Sequence, residues 1–374
     1  PPARAFVLCN TLPDPVIVAG AGRAIMENLG PTLVGSKSTL VYKIAPSCDA
    51  VNAIVNGAPS GGTGDTIETA SYWDDSGQQH LCDLEPGTLA DIGISDVFAS
   101  TCLSLPNGLP PYVRDSQGPV EAYTFVVPKT SSQRAISKAA AYFVFGFGGD
   151  SGVEPWTDEN FIFQRGSASG TQHMFSLAIH VPADRWRGTL VDSSTEIVTS
   201  VSAASKVDPE RAIGILTAEV VRDYRALVSV LAYQDEGQSC GYWPDSTQTA
   251  TDKQNVRDGH YALWGPLHML ARTNDNGYVT RASVSDMIAY FTGTKLPPSN
   301  PDLLSLLADT GIVLSAPCTC GARASSARSP PSRPRTPAAA ASTSSPRARA
   351  TARLARRTRA APRRRSTATT GIAR

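Results

Sequence analysis

Phe161-Ile162-Phe163-Gln164-Arg165-Gly166-Ser167-Ala168-Ser169-Gly170-Thr171 is the stretch on which the reading of this chain turns. An apolar run breaks at Arg165–Gly170, and Thr171–Ile179 then reads as an amphipathic helix, so the order is strand, tight turn, helix. A helix start presents unpaired backbone N–H groups and the positive end of its dipole, and Ser169 and Thr171 add hydroxyl donors there. Gly170 lets backbone approach a ligand closely, and the Arg165 guanidinium offers a charged fork that matches two oxygens of a tetrahedral anion. The stretch reads as an oxyanion cradle; the plainer alternative is an N-cap beside a surface arginine.

The same order recurs twice upstream. Pro15–Ala19 reads as a buried strand, Gly20-Ala21-Gly22 as a break and Arg23–Leu33 as a helix with Ile25, Met26 and Leu29 on one face. Thr39–Ile44 then leads through Pro46-Ser47-Cys48 into a helical Asp49–Val55. Strands alternating with helices predict an α/β architecture with largely parallel sheets. Ligands of open α/β sheets sit beyond the carboxyl ends of the strands, so Ser47 and the backbone of Ala21 and Gly22 are expected to face the cleft that holds Arg165. Ile92-Gly93-Ile94-Ser95-Asp96 ends another apolar run with a carboxylate. An acceptor-only Asp96 repels an anion unless the ligand brings a proton, as hydrogen phosphate does near neutral pH and sulfate does not. Its plainer reading is a turn or helix cap.

Ala122–Pro128 reads as a strand leading into a second lobe, and Tyr261–Met269 as the segment that returns. Helices are expected over Ala135–Phe147 and Pro209–Arg225, a loop over residues 57–65, and a core role for Tyr142, Phe143, Phe145 and Phe147.

Charge is unevenly spread along the 374 residues. Residues 321–374 hold fourteen Arg and no Asp, Glu or Lys, which leaves 20 basic against 33 acidic side chains over residues 1–320. An acidic body argues against a nucleic-acid partner, so any anion must be held by a local cluster of donors. The Ala/Arg/Pro/Ser/Thr composition after Cys320 cannot offset its ordering entropy by burial and predicts disorder. A basic tail and an out-of-frame translation of GC-rich DNA both account for it. The apolar runs are too short to span a bilayer. Cys9, Cys48, Cys82, Cys102, Cys240, Cys318 and Cys320 show no CxxC pair, so disulfides in an exported protein are the simpler reading. The four before residue 103 allow two bridges of open connectivity. A signal peptide is expected to have been removed or to lie outside the sequence, and no lipid anchor is read from Phe6-Val7-Leu8-Cys9.

Rival motifs fail on their spacing. Gly20-Ala21-Gly22 lacks the third glycine of a dinucleotide fingerprint, because Ile25 stands there, and Lys37 is out of register for a P-loop. Gly166–Gly170 centres on Ala168 where a hydrolase elbow needs Ser. His173 and Asp96 leave a secreted hydrolase as a lesser alternative. His260 and His268 are eight apart and lack the helical spacing of a metal pair, so no metal or cofactor is expected.

Taken together, these ordered elements resemble type II periplasmic solute-binding proteins of the phosphate-binding branch, which serve phosphate ABC transporters, from about Leu12 to Ser315. Arg165 is separated by three residues from Ser169-Gly170-Thr171, as that family's motif has it, and Ser47 and Asp96 fall where its second and third elements lie. Tyr142–Gly146 with Trp156 resembles its helix and tryptophan, and Tyr261–Gly265 its return crossover. Two departures stand out: Ala21 replaces a hydroxyl donor and Ser167 an acid. The resemblance implies two hinge-connected lobes, 12–126 plus 261–316 and 127–260, with the ligand between them. It also implies inorganic phosphate or a similar oxyanion bound by Arg165, Ser169, Gly170, Thr171, Ser47, Asp96, Ala21 and Gly22. A monomeric, non-enzymatic protein of the periplasm or extracellular space, working with an ABC permease, is expected. A binding protein of the same fold without a transporter is the alternative.

Overall fold

A computed structural model describes residues 6–63, 66–102, 105, 108–302 and 313. The chain divides into two units, Pro1–Cys318 and Thr319–Arg374. The expected disordered tail, with Cys318 and Cys320, lies outside the described residues.

The first part of the chain runs β1 (Val7–Leu8), β2 (Pro15–Gly20), α1 (Arg23–Leu29), β3 (Thr39–Ile44), α2 (Ser47–Asn56), β4 (Glu68–Trp73), β5 (Gln79–Leu84) and β6 (Ile92–Ser95). A 16-residue strand, β7 (Val113–Pro128), then leads to β8 (Ala135–Ser137), α3 (Lys138–Phe147), β9 (Ile162–Arg165), α4 (Gly170–Ile179), β10 (Thr189–Val191) and α5 (Ser194–Ala204). After these come β11 (Ile213–Thr217), α6 (Ala218–Asp223), β12 (Val228–Val230), β13 (Ala232–Gln234), α7 (Gln254–Arg257), β14 (Trp264–Arg272) and α8 (Ala282–Phe291).

The strands lie in the order β1-β5-β4-β3-β2-β6-β14-β7-β11-β9-β10, with β12 also on β7. β7 joins two lobes. From Val113 to Ala122 it pairs with β14, from Tyr123 to Val126 with β11, and its last residues with β12. Its crossing role was expected from Ala122–Pro128, although the change of partner falls between Ala122 and Tyr123. Pairing is parallel where helices cross over, between β2 and β3, β2 and β6, β9 and β10, and β9 and β11. It is antiparallel along β7 and β14, where the chain passes between lobes. Val16, Val18, Ile25, Met26, Leu29, Ile92 and Ile94 pack one core under the first lobe. Phe125, Phe145, Ile162, Phe175, Ile213 and Ile215 pack another under the second.

Three expectations change. Pro209–Arg225 is not one helix, since Ile213–Thr217 is a strand between β7 and β9 and only Ala218–Asp223 is helical. Its continuous apolar run is buried throughout, a pattern that periodicity cannot tell from a helix. Ala135–Ser137 likewise adds a short strand beside β13 before α3 begins. Of the aromatic run, only Phe145 is core; Tyr142, Phe143 and Phe147 are exposed and contact one another at ring-centroid distances of 5.3–5.7 Å.

The early cysteines pair as Cys9–Cys82 and Cys48–Cys102, and Cys240 is free and exposed. The second bridge ties the start of α2 to the segment after β6.

Candidate functional site

The strand-to-helix turns of both lobes open on one cavity of about 310 Å³. Ala21, Gly22, Ser47, Asp96, Arg165, Ser169, Gly170 and Thr171 all line it. Ala21 and Gly22 follow β2, Ser47 opens α2 after β3 and Asp96 follows β6; from the second lobe, Arg165 ends β9 and Ser169-Gly170-Thr171 begin α4. The order of the strands therefore brings together residues up to 150 positions apart.

Ser169 is the N-cap of α4, its Oγ accepting the Gln172 N–H at 3.4 Å. Its own hydroxyl proton is still available to donate, so capping and ligand donation are compatible. Gly170 is sterically required. A Cβ there would lie 2.6 Å from Asp96 Oδ2 and closer still to Ser47 Oγ. Ser47 Oγ accepts the Asp96 N–H at 3.1 Å, and the Cys48 N–H donates to Ala168 O at 3.1 Å across the lobes.

Arg165 is fixed at both ends. Its backbone N–H donates to Gln172 Oε1 at 3.1 Å, while Nη1 donates to Ser194 Oγ and Nη2 to Asp192 O, both at 2.9 Å. Nε is buried without a protein partner. A carbonyl and a hydroxyl thus hold the guanidinium, which has no carboxylate bonded to it, although the charges of Asp96, Asp192 and Glu196 act on it from farther off. Burial lowers its proton affinity, against the pull of Asp96. Asp192 to Thr195 also line the cavity. The sequence reading missed them although Thr189–Val191 followed by Asp192-Ser193-Ser194 repeats the strand–turn–helix order.

Ala21 meets the cavity with its N–H already donated to Ile94 O at 3.1 Å. At the start of α1, the Ala24 N–H donates to Glu219 Oε2 at 3.1 Å. A carboxylate of the second lobe therefore caps a helix of the first.

Sequence reasoning missed two acids, Glu121 and Glu219. They line the cavity with Asp96 and are 1%, 6% and 5% exposed, respectively. Burial pushes Asp96 up to about 6, with Ser47 beside it and the Arg165 charge working the other way. It pushes Glu219 up to about 7 against the Ala24 N–H and the Arg23 charge. Burial and the charges of Glu219 and Asp96 hold Glu121 well above the carboxylate range. Asp96 Oδ1 and both Glu121 oxygens form no well-aligned hydrogen bond with the protein, although the Asp96 carboxyl and the Thr217 and Tyr123 hydroxyls lie beside the Glu121 carboxyl. One signal for Glu121 was present: it is the single ionisable residue in the apolar run Val120–Val127 apart from Tyr123.

Among the described residues, no group of three or more His, Cys, Asp or Glu side chains could hold a metal ion. His268 is buried with Nδ1 2.7 Å from Asp115 Oδ2, and His260 is exposed and stacked on Tyr242. His173 Nε2 lies 2.6 Å from Ser167 O.

Two α/β lobes sharing a crossover strand, with helix starts converging between them, define the type II periplasmic solute-binding fold. A solved Clostridium perfringens protein, described as a phosphate ABC transporter substrate-binding protein with bound phosphate, has this fold. It matches at a TM-score of 0.53 and 12% identity, over 81% of this chain and 100% of that one. An ABC-type phosphate transport receptor from Vibrio cholerae aligns at a TM-score of 0.49 and 12% identity, over 81% of this chain and 100% of its own. The reduced OxyR regulatory domain of Pseudomonas aeruginosa aligns at a TM-score of 0.42 and 10% identity, over 76% and 99%. No family model matches the chain, and no curated protein matches its sequence.

Proposed function

We propose that this chain is an exported solute-binding protein whose lobes close on a small oxyanion, phosphate foremost, and that it delivers its cargo to an ABC permease without acting as an enzyme. The observation that carries this reading is the convergence of helix starts from both lobes, with Arg165, on one cavity. Arg165 neutralises the anion, Ser47, Ser169 and Thr171 donate hydroxyl protons, and Asp96 accepts a proton from the ligand. Closure excludes water and strengthens each charge-assisted hydrogen bond. The lobes are taken as 12–126 plus 261–316 and 127–260, moving about the β7–β14 crossing, in a monomer. Two disulfides support an oxidising compartment, and no described helix is long and apolar enough to cross a membrane.

The occupied N–H of Ala21 and the carboxylate at the start of α1 favour a second reading, a binding protein of the same fold without a transporter. Calorimetry tests the first. The expected result is phosphate bound more tightly than sulfate, and both lost in Arg165→Ala. Equal affinity for the two anions removes the role of Asp96, and binding of neither removes the oxyanion reading.

A further inference from the structure

The cavity is electrostatically lopsided, and the order of the strands shows how. In the second lobe the order is β7, β11, β9, β10. Glu121 lies on β7 and Glu219 just beyond β11, whereas Arg165 ends β9 and the turn that holds it follows β10. Neighbouring strands are about 4.8 Å apart, so backbones carrying the unbonded acid and the guanidinium stand roughly 10 Å apart, with their side chains converging on one space.

An anion alone leaves the β7–β11 side unexplained. Three buried carboxyl groups line the cavity against the Arg165 guanidinium. The other cation there, Arg23, is a third exposed and already pairs with Asp223 and Glu27. His268, behind Asp96, is tied to Asp115. Glu219 has the Ala24 N–H, but neither Glu121 oxygen has a well-aligned hydrogen bond, and around its carboxyl stand a second acid, Asp96, and only the Thr217 and Tyr123 hydroxyls, with no cation. A carboxylate only accepts hydrogen bonds, and an unpaired buried one is costly. Hydrogen phosphate brings one O–H, whereas an ammonium brings three donors and a charge. The space allows both ends: about 310 Å³ is roughly ten times the share of one water, more than a phosphate ion fills.

Building on the oxyanion reading, we infer that the cargo is a small zwitterion. Its tetrahedral oxyanion head is held by Arg165 and the start of α4, and an ammonium on a short carbon spacer sits on Glu121 with Asp96 beside it. The test is calorimetry of the full chain with 2-aminoethylphosphonate, ethylphosphonate and inorganic phosphate. The aminated phosphonate should bind at least about 10-fold more tightly than ethylphosphonate, and Glu121→Gln should abolish that advantage while retaining ethylphosphonate. If Glu121→Gln does not fold, competition on the unaltered protein between 2-aminoethylphosphonate and its amine-free isostere propylphosphonate replaces it. A preference for the aminated compound supports the inference, and its absence overturns it. Phosphate and ethylphosphonate binding as tightly as the aminated compound overturns the zwitterion and leaves the oxyanion reading standing. Failure of all three to bind removes both.

Discussion

The two sides of the interlobe cavity are made from the same local device, a strand running into a helix start, yet they handle charge in opposite ways. On the β9–β10 side the guanidinium is positioned by a carbonyl and a hydroxyl, neither of which cancels its charge. On the β7–β11 side carboxyls face a cavity with too few donors, and burial raises their proton affinity. In the proposed function the fold sets where ligand groups would land, and a few side chains set which charge they would carry. That division is open to attack in several ways.

The largest effect is expected from the frame on which both sides hang. The Cys48–Cys102 bridge closes a 54-residue loop and keeps Ser47 beside Asp96. Replacing both cysteines by Ala should lower stability by about 4 kcal/mol on the chain-entropy account, measured by denaturant unfolding. An unchanged midpoint would show that the frame does not depend on the bridge.

Arg165→Ala strips the β9–β10 side of its charge. Anion affinity should fall at least about 100-fold, roughly 3 kcal/mol, by calorimetry. Arg165→Lys should recover only part of this, because one ammonium cannot bond Ser194 and Asp192 as a fork does.

Acidification isolates the opposite side. Asp96 and Glu219 bind protons more tightly folded than unfolded, with folded values of about 6 and about 7. The folded state therefore holds extra protons below those values, and these two groups should make stability fall as pH rises from 5 to 8, by about 4 kcal/mol. Asp14, Asp74, Glu210 and Asp252 shift downward and act only at lower pH, whereas His173, lowered by burial, works in the opposite sense within this window and offsets part of the slope. Thermal melts across this window check the slope, and Glu219→Gln should flatten it. A slope of the opposite sign would place the protons elsewhere.

Gly170→Ala sharpens the contact where the sides meet. Its Cβ would overlap Ser47 and Asp96, so a loss of about 2 kcal/mol in stability is expected together with weaker anion binding. Wild-type behaviour would mean that the lobes do not approach at α4.

The β9–β10 side was the legible one. Arg165 and Ser169-Gly170-Thr171 form a contiguous signal, and turn chemistry is local enough to be read from neighbouring residues. Ser47 and Asp96 were legible for the same reason. Glu121 and Glu219 were not, because an acid at a strand or helix position becomes informative only when its surroundings are known. Glu219 meets Ala24 across 195 positions. The exposure of Tyr142, Phe143 and Phe147 escaped notice because α3 buries only part of its apolar surface. The strand Ile213–Thr217 was hidden because a run buried on both faces has no period to read.

The most direct test of the central claim is a crystal structure grown with saturating phosphate at neutral pH. Tetrahedral density between the lobes, within hydrogen-bond distance of the Arg165 guanidinium and the first residues of α4, is the expected result. Phosphate bound only elsewhere, with Arg165 turned out of the cavity, would contradict it.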